Sequence, residues 1–237
     1  MSLVWTLVVL SMVSAADASS AGDILTATGV KGGLVVHLGC GDGKLTCALR
    51  ANKSYLVHGL DADAANVVKA RAHIRTLGLG GKVSVAQLTS NRLPYIDNLV
   101  NLLVAETPGG VTKDEIMRVL APGGAAWIGQ GGVWTKTVKP RPTGMDEWTH
   151  HKYNATGIGA GCDELVGPPR RMQWKAGPEY SRSHENSSSV SAVVSSGLRV
   201  FAIMDEGPKA SIYLPAKWSV SARDAFSGVL LWKVPIK

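Results

Sequence analysis

The segment Gly33-Leu34-Val35-Val36-His37-Leu38 runs directly into Gly39-Cys40-Gly41-Asp42-Gly43, and Lys44 to Arg50 follows with helical spacing. A continuous, largely apolar run fits a central parallel strand covered on both faces. The glycines permit a tight turn that brings backbone close to a ligand, and the helix that follows offers free N–H groups at its start. Leu45, Ala48 and Leu49 fall on the inner face of that helix. Strand, glycine turn and helix in this order point to an open α/β sheet.

The same alternation continues along the chain. Asp23 to Gly29 precedes it as a short helix with an acidic start and a glycine stop, and Tyr55 to Leu60 reads as a second strand. Asp63 can cap a helix whose inward positions Val67, Ala70, Ile74 and Leu77 keep a 3.6-residue period, ended by Gly78 and Gly80-Gly81. Val83 to Leu88 and Leu99 to Ala105 are a third and a fourth strand. Thr112 with Glu115 forms a capping box ahead of Ile116, Val119 and Leu120; Pro122-Gly123-Gly124 then turns the chain into a fifth strand, Ala125 to Ile128. Strands alternating with helices predict a Rossmann-like, doubly wound parallel sheet, expected over residues 17–132.

Asp61 ends the second strand, 22 residues after Gly39. An acid at that place can accept the hydroxyls of a bound ribose. A dinucleotide fingerprint would demand glycine at 44, where this chain has Lys44. The segments Val35 to Gly43, His58-Gly59-Leu60-Asp61 and Glu115 to Gly124 together resemble the class I S-adenosylmethionine-dependent methyltransferase family. The resemblance implies S-adenosylmethionine as cofactor, its methionine part lined by Gly39, Gly41 and Gly43 and its ribose held by Asp61. Cys40 and Ala62, beside them, join the candidate cofactor-binding residues. Two departures from the family pattern stand out. His37 occupies the place where the family commonly has an acid, and a protonated histidine there would repel the sulfonium. The adenine-contacting acid after the third strand falls on Thr89, with Ser90 beside it. Ala105-Glu106-Thr107-Pro108 after the fourth strand shows no catalytic motif, and the antiparallel hairpin that usually completes the family's sheet is not recognisable. The resemblance implies methyl transfer to an acceptor as the activity.

After Gly132 helical periodicity disappears, prolines and tryptophans become frequent, and short stretches such as Val190 to Val194 and Leu198 to Met204 read as strands. Ala222 to Trp232 matches A-x-D-x-x-[ST]-G-x-x-x-W, which resembles the tryptophan-docking repeat of pyrroloquinoline-quinone-type β-propellers. Residues 133–237 are therefore expected to form an incomplete, all-β propeller-like region. Blades need roughly 40 to 45 residues and a propeller four to eight of them. The sequence is thus expected to be the front of a longer protein that carries further blades. The quinone needs a complete ring and is not expected to bind this chain. The rival functions are an exported, non-catalytic propeller scaffold and a fragment of a quinone-dependent oxidoreductase.

The apolar run Leu3 to Val13 followed by small residues reads as a signal peptide over 1–16, with Ala15 and Ala18 as candidate cleavage positions and export as the expected destination. No later stretch reaches membrane-spanning length. The formal charge of +7 is scattered among acidic neighbours rather than gathered into a stripe, so nucleic acid is not expected as a partner. Cys40, Cys47 and Cys162 form no CxxC pattern, and no metal is expected there. Asp146-Glu147-Trp148-Thr149-His150-His151 with His184 is the one metal-like cluster, and it reads better as a structural loop, since adjacent histidines on an extended segment point apart.

Overall fold

The computed structural model describes residues 20–165, 167, 172–177, 189–211 and 213–236. The signal peptide expected over 1–16 and His184 lie outside the described residues. The described residues form two sheets with helices on the first. The first carries β1 (Gly33–Leu38), β2 (Tyr55–Asp61), β3 (Val83–Gln87), β4 (Val100–Ala105), β5 (Leu120–Gln130) and β6 (Val133–Val138) in the order β3-β2-β1-β4-β5-β6. The first five strands are parallel and β6 is antiparallel to β5.

Helices cover both faces of this sheet, as the alternation predicts. On one face α1 (Ala21–Thr28), α2 (Lys44–Ala48) and α3 (Ala64–Thr76) pack Ile24, Cys47, Val67, Ala70 and Ile74 against Val35, Val57 and Val104. On the other, α4 (Lys113–Val119) places Ile116 and Val119 against Leu34, Val36 and Leu103. Every residue of β1 is buried, as expected of a strand with neighbours on both sides and helices on both faces. Asp63 caps α3 as read, while α1 opens earlier than expected, on a full capping box at Ser20 and Asp23. Thr112 accepts the Glu115 N–H at the start of α4, but the Glu115 carboxylate goes to the Leu93 N–H and to Arg118 rather than back to Thr112, so the capping box expected there is only half formed.

Two details correct the sequence reading. The α/β sheet does not stop at 132: Gly131-Gly132 closes a hairpin, and β6 joins the first sheet rather than the β region that follows. Trp134 on β6 stacks on Trp127 of β5 with centroids 6.0 Å apart and planes 9° apart, which secures the antiparallel strand that the sequence hides. Pro122-Gly123-Gly124 is also not a turn before the fifth strand. The strand already begins at Leu120, and the register shifts between Val100↔Leu120 and Leu102↔Ala125, so these residues form a bulge within β5.

The second sheet is an antiparallel meander of β7 (Val190–Ser196), β8 (Arg199–Asp205), β9 (Trp218–Asp224) and β10 (Leu230–Pro235), paired in the order β10-β9-β8-β7. It rests against the ends of the first sheet where the parallel strands begin. Asn101 of β4 accepts from the Leu34 N–H at 2.8 Å and donates to Asp224 at 2.7 Å, and Ser54 donates to the Leu231 carbonyl at 2.5 Å. Among the described residues no helix is long and apolar enough to cross a membrane.

Candidate functional site

The parallel strands end at a cleft of about 330 Å³ on the side of the sheet away from the meander. Such crevices beyond the carboxyl ends of strands, where crossovers part to either side, are where open α/β sheets bind ligands. The strand order reverses at β1, between β2 and β4, and this cleft lies there.

Of the residues singled out from sequence, Gly39, Asp61, Ala62, Thr89 and Ser90 all line the cleft. Gly39 and Gly41 have φ of 71° and 53°, and nothing lies within 4 Å of where a side chain would stand, so the turn leaves open space for a ligand. Gly41 contributes its N–H, which donates to Asp61 Oδ2 at 2.8 Å. Asp61 Oδ1 accepts from the Asp63 N–H at 2.9 Å and from Asn66 Nδ2 at 3.3 Å. A carboxylate offers about four acceptor positions. Three are filled, so the buried Asp61 can take one further donor without giving up a partner, where the sequence reading had it holding both ribose hydroxyls.

Two predicted lining residues face elsewhere. Gly43 is needed for packing: a Cβ there would stand 2.8 Å from the Ala70 Cβ, so its absence lets α2 and α3 close together. Cys40 is 3% exposed and lies against Gly59, with its thiol pushed up to about 11 by burial and by the nearby Asp61 charge. It is a core side chain and not a reactive one.

His37 is also turned away from the cleft. Its Nδ1 lies 2.8 Å from Thr46 Oγ1 of α2, and burial lowers its pKa to about 4 although the Asp61 charge pulls the other way. The ring is therefore neutral at physiological pH, and the repulsion expected of a protonated histidine does not arise. On the loop after β3, Ser90 spends its hydroxyl locally, donating to the Arg92 carbonyl at 3.1 Å.

The wall opposite Asp61 was not foreseen. Thr107, Pro108, Gly109, Gly110 and Val111 form it, and Asn91 packs where a side chain on Gly110 would stand. The Pro-Gly-Gly sequence after β4 was the available signal, since it marks a turn at a strand's carboxyl end. In the metal-like cluster the two carboxylates are engaged within the protein. Asp146 accepts from the Glu147 and Cys162 N–H groups at 2.7 Å each, and Glu147 pairs with Arg141 at 2.7 Å.

A family model described as a methyltransferase domain matches residues 35–124. Among solved structures, the chain is similar to a candidate S-adenosyl-L-methionine-dependent methyltransferase from Methanococcus maripaludis, at 26% identity over 47% of this chain and 54% of that one, with a TM-score of 0.42. It is also similar to geranyl diphosphate C-methyltransferase from Streptomyces coelicolor A3(2), solved with Mg2+, geranyl diphosphate and S-adenosyl-L-homocysteine, at 19% identity over 46% and 43% of the two chains and a TM-score of 0.42. The [4+2]-cyclase SpnF gives 25% identity over 46% and 42%, again with a TM-score of 0.42. The chain thus spans about half the length of these proteins, or less. No curated protein matches the sequence. Over residues 35–124 the chain is methyltransferase-like in sequence, on a Rossmann-like sheet.

Proposed function

We propose that the chain binds S-adenosylmethionine in the cleft beyond β1 and β2 and orients it for methyl transfer to an acceptor. The observation that carries this reading is Asp61, buried at the end of β2, tied to the glycine turn through the Gly41 N–H, and left with one acceptor position in the cleft. That position suits one ribose hydroxyl. The open backbone at Gly39 suits the close approach of the methionine part, and Thr89 supplies a hydroxyl beside the base. When bound, the cofactor supplies an electrophilic methyl group, whose bond to sulfur breaks and leaves its electron pair there as the acceptor's lone pair forms the new bond. Among the described residues lining the cleft, Asp61 is the one titratable side chain, and its oxygens are largely committed. The protein's contribution is therefore alignment of the cofactor with its acceptor.

Isothermal titration of the full chain with S-adenosylhomocysteine tests the reading. Micromolar binding is expected, weakened roughly tenfold in Asp61→Ala through loss of one charged hydrogen bond. The absence of heat from folded protein at high micromolar ligand would reject it.

A second reading concerns the meander. Trp174 lies over Gly228 so closely that a Cβ there would stand 2.5 Å from the ring, and its Nε1 donates to the Ala225 carbonyl at 2.9 Å. A tryptophan from an earlier segment seated on the Asp224–Gly228 turn supports assigning β7–β10 as one blade of a tryptophan-docked repeat. Further copies of the motif in a longer sequence from the same locus would extend it; a stop codon directly after residue 237 would argue against it.

A further inference from the structure

We propose that the groove between α4 and the β5–β6 hairpin is the acceptor site, and that the acceptor is a small molecule with an apolar body and an anionic group; this rests on the cofactor reading above. The groove exists because β5 ends at Gln130 and β6 begins at Val133, with no helix between them to cover that face of the sheet. α4 shields the inner strands and stops short of the hairpin. A cavity of about 320 Å³ is left, at the lower end of the range for small-molecule sites.

Its walls sort by chemistry. Ile116 and Met117 from α4 face Ala126 and Ile128 from β5, which makes an apolar interior. Thr135 and Thr137, at alternate positions on β6, bring two hydroxyls to one side, and Lys113 brings an ammonium group from the first turn of α4. Among the described residues none of these three side chains makes a hydrogen bond or ion pair. Unused donors at the edge of an apolar trough match a ligand that is greasy through most of its length and carries a carboxylate or similar anion at one end.

The groove adjoins the cofactor cleft. Pro108 and Val111, on the loop after β4, line both cavities, so only these side chains stand between a ligand in one and a ligand in the other. Lys113 follows Val111 by two residues and opens α4, so it stands at the end of the groove nearest the cleft. An acceptor with its anion at Lys113 keeps that end beside Pro108 and Val111 and lays its apolar body along Ile116, Met117 and Ala126. The acceptor atom that takes the methyl is thus at or near the anionic end.

Methyl-resolved NMR of the full chain separates the two sites, because their reporters do not overlap. With 2-naphthoate as probe, an apolar bicycle bearing one carboxylate, shifts are expected at Ile116, Met117 and Ile128. With S-adenosylhomocysteine they are expected at Leu38, Leu60 and Leu88. Lys113→Gln should weaken naphthoate at least threefold and Thr135→Trp, which fills an exposed part of the groove, should abolish its binding, both with the remaining methyl spectrum unchanged. Naphthoate that leaves the three groove methyls unmoved, or binds both variants as well as wild type, overturns the proposal while the cofactor reading stands. If naphthoate shifts the groove and S-adenosylhomocysteine shifts nothing, the cofactor reading fails and the acceptor assignment fails with it.

Discussion

His37 is 5% exposed in the middle of β1, and its depressed pKa has a consequence for stability. The unfolded chain protonates this ring near pH 6.5, whereas the folded protein resists until about pH 4. Between those values the unfolded state binds the extra proton, so acid favours unfolding. Stability is expected to fall by about 3 kcal/mol as pH drops from 7 to 4. His58, also lowered by burial, adds in the same direction. Urea unfolding at pH 7, 5.5 and 4 should show a shallower decline in His37→Gln than in wild type. An equal slope would place the acid sensitivity elsewhere. Asp61 offers a second test. In Asp61→Asn the amide must turn its NH2 toward either the Gly41 or the Asp63 N–H, which leaves donors facing donors. A cost of about 1–3 kcal/mol is expected by urea unfolding, together with weakened S-adenosylhomocysteine binding. An unchanged midpoint would mean that the turn does not depend on this carboxylate.

At the level of elements, one arginine on α4 organises the connection between β3 and β4. Arg118 donates to both Glu115 oxygens, to Asp97 and to the Tyr95 and Leu93 carbonyls, while Glu115 Oε1 also accepts the Leu93 N–H at 2.7 Å. These charges hold the Glu115 carboxyl below its ordinary range and Arg118 above its own. The connection held in this way also carries Thr89 and Ser90 into the cleft. Arg118→Ala is expected to cost about 2 kcal/mol and to speed amide exchange at Leu93. Exchange as slow as in wild type would show that the loop is held by packing alone. The Thr112 cap on the Glu115 N–H was legible in the sequence because it is local. That Glu115 also receives the loop before β4 was not, since 22 residues separate it from Leu93.

Across the described residues, the two ends of the parallel sheet differ: the cleft lined by Asp61 lies at one and the meander packs on the other. Asn101 joins the halves, with Leu34 on one side and the buried Asp224 on the other. Asn101→Ala should cost about 1–3 kcal/mol, and Asn101→Asp more, because it sets a second carboxylate against Asp224. Limited proteolysis between residues 139 and 189 should quicken in both variants if the meander loosens, and an unchanged digest would remove Asn101 from that role. The hairpin makes a second prediction. A fragment of residues 20–139 keeps β6 on the edge of β5 and is expected to unfold cooperatively, whereas 20–132 bares that edge and Trp127 and is expected to aggregate. Equal solubility of the two would show that β6 is dispensable.

What the sequence determined by itself was the succession of elements through β5, the glycine turn and the acid across from it, because strand and helix periods, caps and turn residues act over a few positions. β6 carried the same kind of signal, a glycine pair followed by alternating residues, and was obscured by the change in composition that begins there. Tertiary structure alone decided the rest. Gly43 packs on Ala70, His37 is neutral beneath Thr46, Asn101 reaches Asp224 over 123 positions, and an uncovered face beside α4 leaves a second cavity next to the first. Each depends on which faces meet, and that choice sums many weak contacts between residues far apart in the chain, where no local pattern reports it.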